Sequence, residues 1–161
     1  MNVVYAYEAL PSPGELRSIF LAGPTPRSPT VESWRPEAIR LFSEAGFTGM
    51  LLCPEPRDGV FHPEYEAQVE WETQALEVAT VILFWIPRDL VTMPGFTTND
   101  EFGYWKSSGK CVLGTPPGAA KVSYQRWWAK RLGIPQFESL EDTVCGAIAH
   151  ALETPLDVSG V

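Results

Sequence analysis

Short apolar runs punctuate the chain, and nearly all of them end in a loop that carries Pro or Gly. Ser18-Ile19-Phe20-Leu21-Ala22-Gly23, residues 48–53, residues 80–86 and Cys111-Val112-Leu113-Gly114 carry no charged side chain. An unbroken apolar run of this length predicts a strand buried on both faces, which is the habit of parallel sheets. The segments between the runs predict helices, and in the first two of them apolar positions return every three or four residues. The first covers 31–45, with Trp34, Ala38, Leu41, Phe42 and Ala45 on one side and Gly46 as its stop. The second covers 64–79, with Tyr65, Val69, Glu72 or Ala75, and Leu76 in register. A third starts near Thr98 and ends at Gly109-Lys110. A fourth, rich in aromatics, covers 121–132. The last covers 139–152, with Ser139 offering an N-cap. Residues 133–137 leave room for a short final strand.

Strands alternating with helices predict an α/β fold, a doubly wound sheet of about five parallel strands in one domain over 18–152. Residues 1–17 read as an arm or an edge strand, because Val3-Val4-Tyr5-Ala6-Tyr7 precedes Pro11, Pro13 and Gly14. Residues 153–161 read as a flexible tail. In such folds ligands bind beyond the carboxyl ends of the strands, where the strand order reverses. Four loops meet there: 24–29, 54–63, 87–98 and 115–120.

Composition narrows the ligand. The net charge is −8, from 20 acidic and 12 basic side chains, which disfavours a nucleic-acid polymer or an anionic membrane and suits a small, weakly charged molecule. Cys53, Cys111 and Cys145 are odd in number and scattered, so they form no disulfide framework and point to a reducing, cytoplasmic setting. His62 and His150 stand apart from any Cys pair, so no metal site is expected, and His62 reads as a surface loop residue. No signal-peptide pattern opens the chain, and no apolar run nears the roughly 20 residues that cross a bilayer. There is no Gly-x-Gly-x-x-Gly, no phosphate-cradling Gly-Lys-Ser/Thr and no Gly-x-Ser-x-Gly. Pro24 and Pro26 also remove backbone donors from the first loop. No cofactor is expected.

Carboxylates remain. Glu101 opens the helix after residues 80–86, and Glu72 lies on the helix before them. Two carboxyl groups around a small ligand are the minimal kit for glycosyl transfer through a covalent intermediate. Simpler readings stand beside this one. Thr98-x-x-Glu101 fits a capping box, and Glu72 fits a solvated helix position. A carboxylate in the first helical turn would also be held ionised by the helix dipole. Trp71 neighbours Glu72, with Glu70 and Glu66 close by. Arg27 and Arg57 are either surface charges or groups that orient a polar base or an anion.

Four blocks of this sequence resemble the nucleoside 2-deoxyribosyltransferase family, in its transferase-like branch. They are Ile19-Phe20-Leu21-Ala22-Gly23-Pro24, Pro54-Glu55-Pro56-Arg57-Asp58, Trp71-Glu72 ahead of Ile82-Leu83-Phe84-Trp85-Ile86-Pro87, and Thr97-Thr98-Asn99-Asp100-Glu101-Phe102-Gly103. The resemblance implies a flavodoxin-like fold and cleavage of the N-glycosidic bond of 2′-deoxynucleosides. It implies Glu101 as the nucleophile and Glu72 in the place of an Asp that contacts the base. Phe20 falls where some members have a Tyr. Gly23, Pro24, Arg57, Asp58, Trp71, Thr97, Thr98 and Asn99 become substrate-binding candidates, and Gly95 stands where the family has an Asp for the sugar hydroxyls. Implied partners are a nucleoside, a free nucleobase and further copies of the chain, as a dimer or larger homo-oligomer with shared sites. The C-terminus, Ser159-Gly160-Val161, lacks the aromatic that some members place in a neighbour's site. Relatives that admit water are hydrolases of nucleoside monophosphates. A non-catalytic nucleoside sensor on the same fold is the third reading.

Overall fold

In the computed structural model, described for residues 1–155, six strands form one all-parallel sheet. They are β1 (Asn2–Tyr5), β2 (Ser18–Ala22), β3 (Met50–Cys53), β4 (Val81–Trp85), β5 (Cys111–Gly114) and β6 (Gln136–Phe137). Five helices connect them: α1 (Arg35–Glu44), α2 (Tyr65–Val78), α3 (Phe96–Trp105), α4 (Ser123–Leu132) and α5 (Leu140–Glu153). The strand order is β1-β3-β2-β4-β5-β6, the flavodoxin-like order with one strand added at an edge. The added strand makes six where about five were expected. It is the N-terminal alternating run, paired with β3 from Asn2 opposite Met50 to Tyr5 opposite Cys53. From Leu156 onward, most of the expected tail lies outside the described residues.

The four apolar runs became β2 to β5 because they are buried from both sides. Their side chains alternate between two cores. Phe20, Leu52, Ile82, Phe84 and Leu113 face Trp71, Ala75 and Leu76 of α2, Phe102 of α3 and Ala129 of α4. Ile19, Leu21, Leu51, Leu83 and Val112 face Ala38 and Phe42 of α1 and Val144, Ala147 and Ala151 of α5. Among the described residues no helix is long and apolar enough to cross a membrane.

Two helices sit differently from expectation. In α2 the buried stripe is Gln68, Trp71, Ala75 and Leu76, while Tyr65 and Val69 are exposed. Polar anchors set this rotation: Gln68 Nε2 donates to the Pro54 carbonyl at 2.8 Å and Trp71 Nε1 to the Glu8 carbonyl at 2.8 Å. The start of α3 is at Phe96, after Gly95 in the left-handed region at φ 61°. Thr98 is therefore inside the helix, makes no capping bond, and Glu101 stands in the second turn. The capping-box reading fails, because Gly95 makes the entry turn that Thr98 was expected to make. Ser139, by contrast, caps α5 as expected, accepting from the Asp142 amide at 3.1 Å.

The order reverses between β2 and β4, and there the chain leaves β2 through Gly23 at φ 149°. A Cβ at this position would lie 2.1 Å from the Trp85 carbonyl oxygen and 2.9 Å from the Trp34 ring. Backbone cannot yield as a side chain can, so Gly23→Ala is expected to cost roughly 3 kcal/mol. Gly103, inside α3, has open space around its Cα. There Gly103→Ala is expected to gain up to about 1 kcal/mol from helix propensity. Urea unfolding of both variants reads the contrast.

Candidate active site

The carboxyl ends of β2 and β3, the first half of α2 and the start of α3 enclose an open cleft of about 360 Å³. That is at the lower end of the range for small-molecule sites. Its β2 wall is Phe20, Ala22, Gly23, Pro24 and Thr25; Gln68 and Glu72 come from α2, and Thr97, Thr98 and Glu101 from α3. Tyr7, Phe61, His62 and Tyr65 line it further, with Phe96 and Arg27 opposite.

Side chains at the start of α1 hold the β2 wall in place. Trp34 Nε1 donates to the Pro24 carbonyl at 3.1 Å. Arg35 donates to the Leu21 carbonyl at 3.1 Å, the Gly23 carbonyl at 2.7 Å, the Thr25 hydroxyl at 3.0 Å and the Glu55 carboxylate at 2.8 Å. Carbonyls that leave the sheet at a strand end need such donors when they are buried.

Of the residues singled out in the sequence, Phe20, Gly23, Pro24, Glu72, Thr97, Thr98 and Glu101 meet in this cleft. Arg57, Asp58, Trp71 and Asn99 do not line it. Arg57 is drawn to Glu8, at 2.7 Å, and lies over the Tyr5 ring. Asp58 closes its own loop by accepting from the Val60 amide at 2.9 Å. Trp71 is spent on Glu8, and its ring is core. Asn99 accepts from Arg88 at 2.5 Å and Gln125 at 2.7 Å on another face of α3. Helical geometry sorts them: 97, 98 and 101 share a side, and 99 points away.

Arg35, Gln68, Tyr7, Phe61, Tyr65 and Phe96 line the cleft without having been singled out as site residues. Two carried a signal. Arg35 precedes Ala38 by three residues and Phe42 by seven, so a charge stands on the buried stripe of α1. Gln68 precedes Glu72 by one helical turn, and its Nε2 donates to Glu72 at 2.5 Å. His62 lines the outer cleft, exposed, with its Nδ1 accepting from the Glu64 amide at 3.1 Å.

The Glu72 charge bears on Glu101. Burial pushes Glu101 up to about 8; the nearby Glu72 and Asp100 add to the rise, and Arg35 opposes it. Burial also raises Glu72, against the Gln68 hydrogen bond and the Arg35 charge. This reverses the expectation that the helix dipole keeps Glu101 ionised, since the second turn lies beyond the dipole's reach. Near neutral pH the pair retains a proton. A carboxyl pair that keeps one proton has an acid and a base side by side.

The family model described as nucleoside 2-deoxyribosyltransferase like matches residues 16–119. The chain belongs to this family. No curated protein matches it. The matched span of the nucleoside 2-deoxyribosyltransferase-like family runs from just before β2 to the loop after β5. It takes in both carboxylates and every lining residue except Tyr7.

The raised Glu101 links stability to pH. Below its ordinary value of 4.5 the group is protonated whether folded or unfolded. Between there and about 8 the folded state binds the extra proton, so stability falls as pH rises through that window. Urea unfolding at pH 5, 7 and 9 is expected to show a loss of roughly 3 kcal/mol. Glu101→Gln removes most of that slope and is expected to be more stable than the parent at pH 9.

Proposed function

We propose that the protein moves a 2-deoxyribosyl group from one nucleobase to another through an ester on Glu101. The observation that carries this is the meeting of Glu101 and Glu72 in one cleft, at the strand-order reversal, in a member of this family. The ionised Glu101 oxygen attacks C1′, the C1′–N bond breaks, and the proton held by the pair passes from Glu72 to the departing base. A second base then attacks C1′ from the side the first one left. Glu72 takes up the proton of the incoming ring nitrogen, and the ester bond to Glu101 breaks. Two inversions give net retention. Gln68 holds Glu72 against α2, while Phe20 and Pro24 form the apolar wall beside it. The buried thiols Cys53 and Cys111, both pushed up by burial, are poor competitors for the nucleophile's role.

The test is incubation with a panel of 2′-deoxynucleosides, each with and without a second free base. Base exchange is the expected product. Glu101→Ala should lower kcat/KM by at least about a thousandfold while nucleoside binding persists. A small loss would remove Glu101 from its role. Because the pair must carry one proton to deliver to the leaving base, kcat/KM is expected to fall as pH rises through about 8.

Arg27 favours a second reading. It stands at the cleft, exposed, with its guanidinium 5.6 Å from the Phe96 ring centroid. Beside it, Ser28 and Thr30 share a hydroxyl contact at 2.7 Å. Such a cluster suits a 5′-phosphate. Release of base and sugar phosphate from nucleoside 5′-monophosphates, indifferent to added base, would make the protein a hydrolase.

Self-association belongs to the same proposal. Leu90, Phe96 and Tyr124 are exposed around a hollow that shares Phe96 with the cleft. Apolar surface of this kind favours contact with another chain. Sedimentation velocity is expected to give at least a dimer, and Tyr124→Glu to weaken it.

A further inference from the structure

Arg35 is 1% exposed, yet it is a cation lying directly against the cleft. Four of its five N–H donors are used, on two carbonyls at the end of β2, the Thr25 hydroxyl and Glu55. It also lies over the Trp34 ring, 4.8 Å from the centroid. Glu55 accepts a second bond from the Ser33 hydroxyl at 2.8 Å. The ion pair is unevenly placed. Arg35 lines the cleft that holds Glu72 and Glu101, whereas Glu55 lines the neighbouring hollow with Thr25 and Pro26. The cationic half of the pair therefore faces the reacting carboxyl groups, and the anionic half is set behind it.

We infer that Arg35 and Glu55 are positioning residues that act on the carboxyl groups from opposite directions: Arg35 braces the β2 wall and presents a buried positive charge, and Glu55 moderates that charge. The inference rests on reading Glu101 and Glu72 as the reacting pair. Charge in a protein interior is weakly screened, so a unit charge several ångströms away shifts a neighbour's ionisation by about one pH unit. Arg35 opposes the rise of both Glu72 and Glu101. The other groups facing Glu101 are Glu72 from α2 and Asp100 on α3 itself. Arg27, His62, Tyr7 and Tyr65 line the cleft from its loops and the start of α2. None of these is bonded to Arg35 or Glu55, so changing either half of the ion pair leaves their contacts in place.

A brace that served stability alone would weaken the fold from either side and leave the carboxyl titration unchanged. A charge-setting pair gives shifts of opposite sign. The experiment follows the ¹³C carboxyl resonance of Glu101 in the intact protein across pH, assigned by its loss in Glu101→Gln, with near-ultraviolet circular dichroism to confirm folding. Arg35→Met is expected to raise the Glu101 midpoint by about one pH unit and Glu55→Gln, which removes the more distant charge, to lower it by a smaller amount. Arg35→Lys, which keeps the charge and loses the fork, should stay within about half a unit of the parent. Midpoints that move together, or do not move, overturn the inference. If Arg35→Met does not fold, Glu55→Gln decides: a lowered midpoint supports the inference and an unchanged one overturns it. The readout needs no turnover, so its failure is separate from failure of the base-exchange assay.

Discussion

The backbone of β2 passes so close to the end of β4 that no side chain fits between them. That contact, Gly23 against the Trp85 carbonyl, sits where the sheet reverses its order and opens. Once the β2 chain is pressed there, it must turn outward at Pro24, and its carbonyls leave the sheet unpaired. The side chains of Trp34 and Arg35 supply the missing donors. This is why a fully buried arginine lies beside a cleft lined by two glutamates. The wall, the brace and the local charge all follow from one close backbone approach.

Burial of Glu101 works against the fold. A carboxyl group packed among protein atoms resists ionisation, and Glu72 beside it deepens the resistance. A protein selected for stability alone would place an amide or an apolar residue there. Sites that hold like charges together cost stability and are concentrated where proteins act on ligands. The arrangement has the character of a working site on these grounds, apart from any family relationship.

Much of this was legible in the sequence. The apolar runs marked the four inner strands because both of their faces are covered, and the 3–4 spacing marked α1 and α2. The cleft was legible through its loops and through Glu101. What escaped depended on orientation. Whether residue 97 or 99 of α3 faces the cleft is decided by where the helix begins, and Gly95 moved that start by two residues. The rotation of α2 was set by Gln68 and Trp71 bonding to backbone distant in sequence, which no periodicity reports. Arg57 and Asp58 sit in a loop that resembles the family's, but Glu8, 49 positions away, claims the arginine.

The N-terminal strand carries a consequence for how the molecule is divided. The family match begins at residue 16, yet Tyr7 lines the cleft, and Glu8 binds Arg57 and accepts the Trp71 indole proton. A chain cut at the start of the matched span would retain Glu72 and Glu101 and lose Tyr7 from the cleft lining along with an anchor of α2. The boundary that the family match draws through this protein and the boundary of the piece that builds the cleft are different lines.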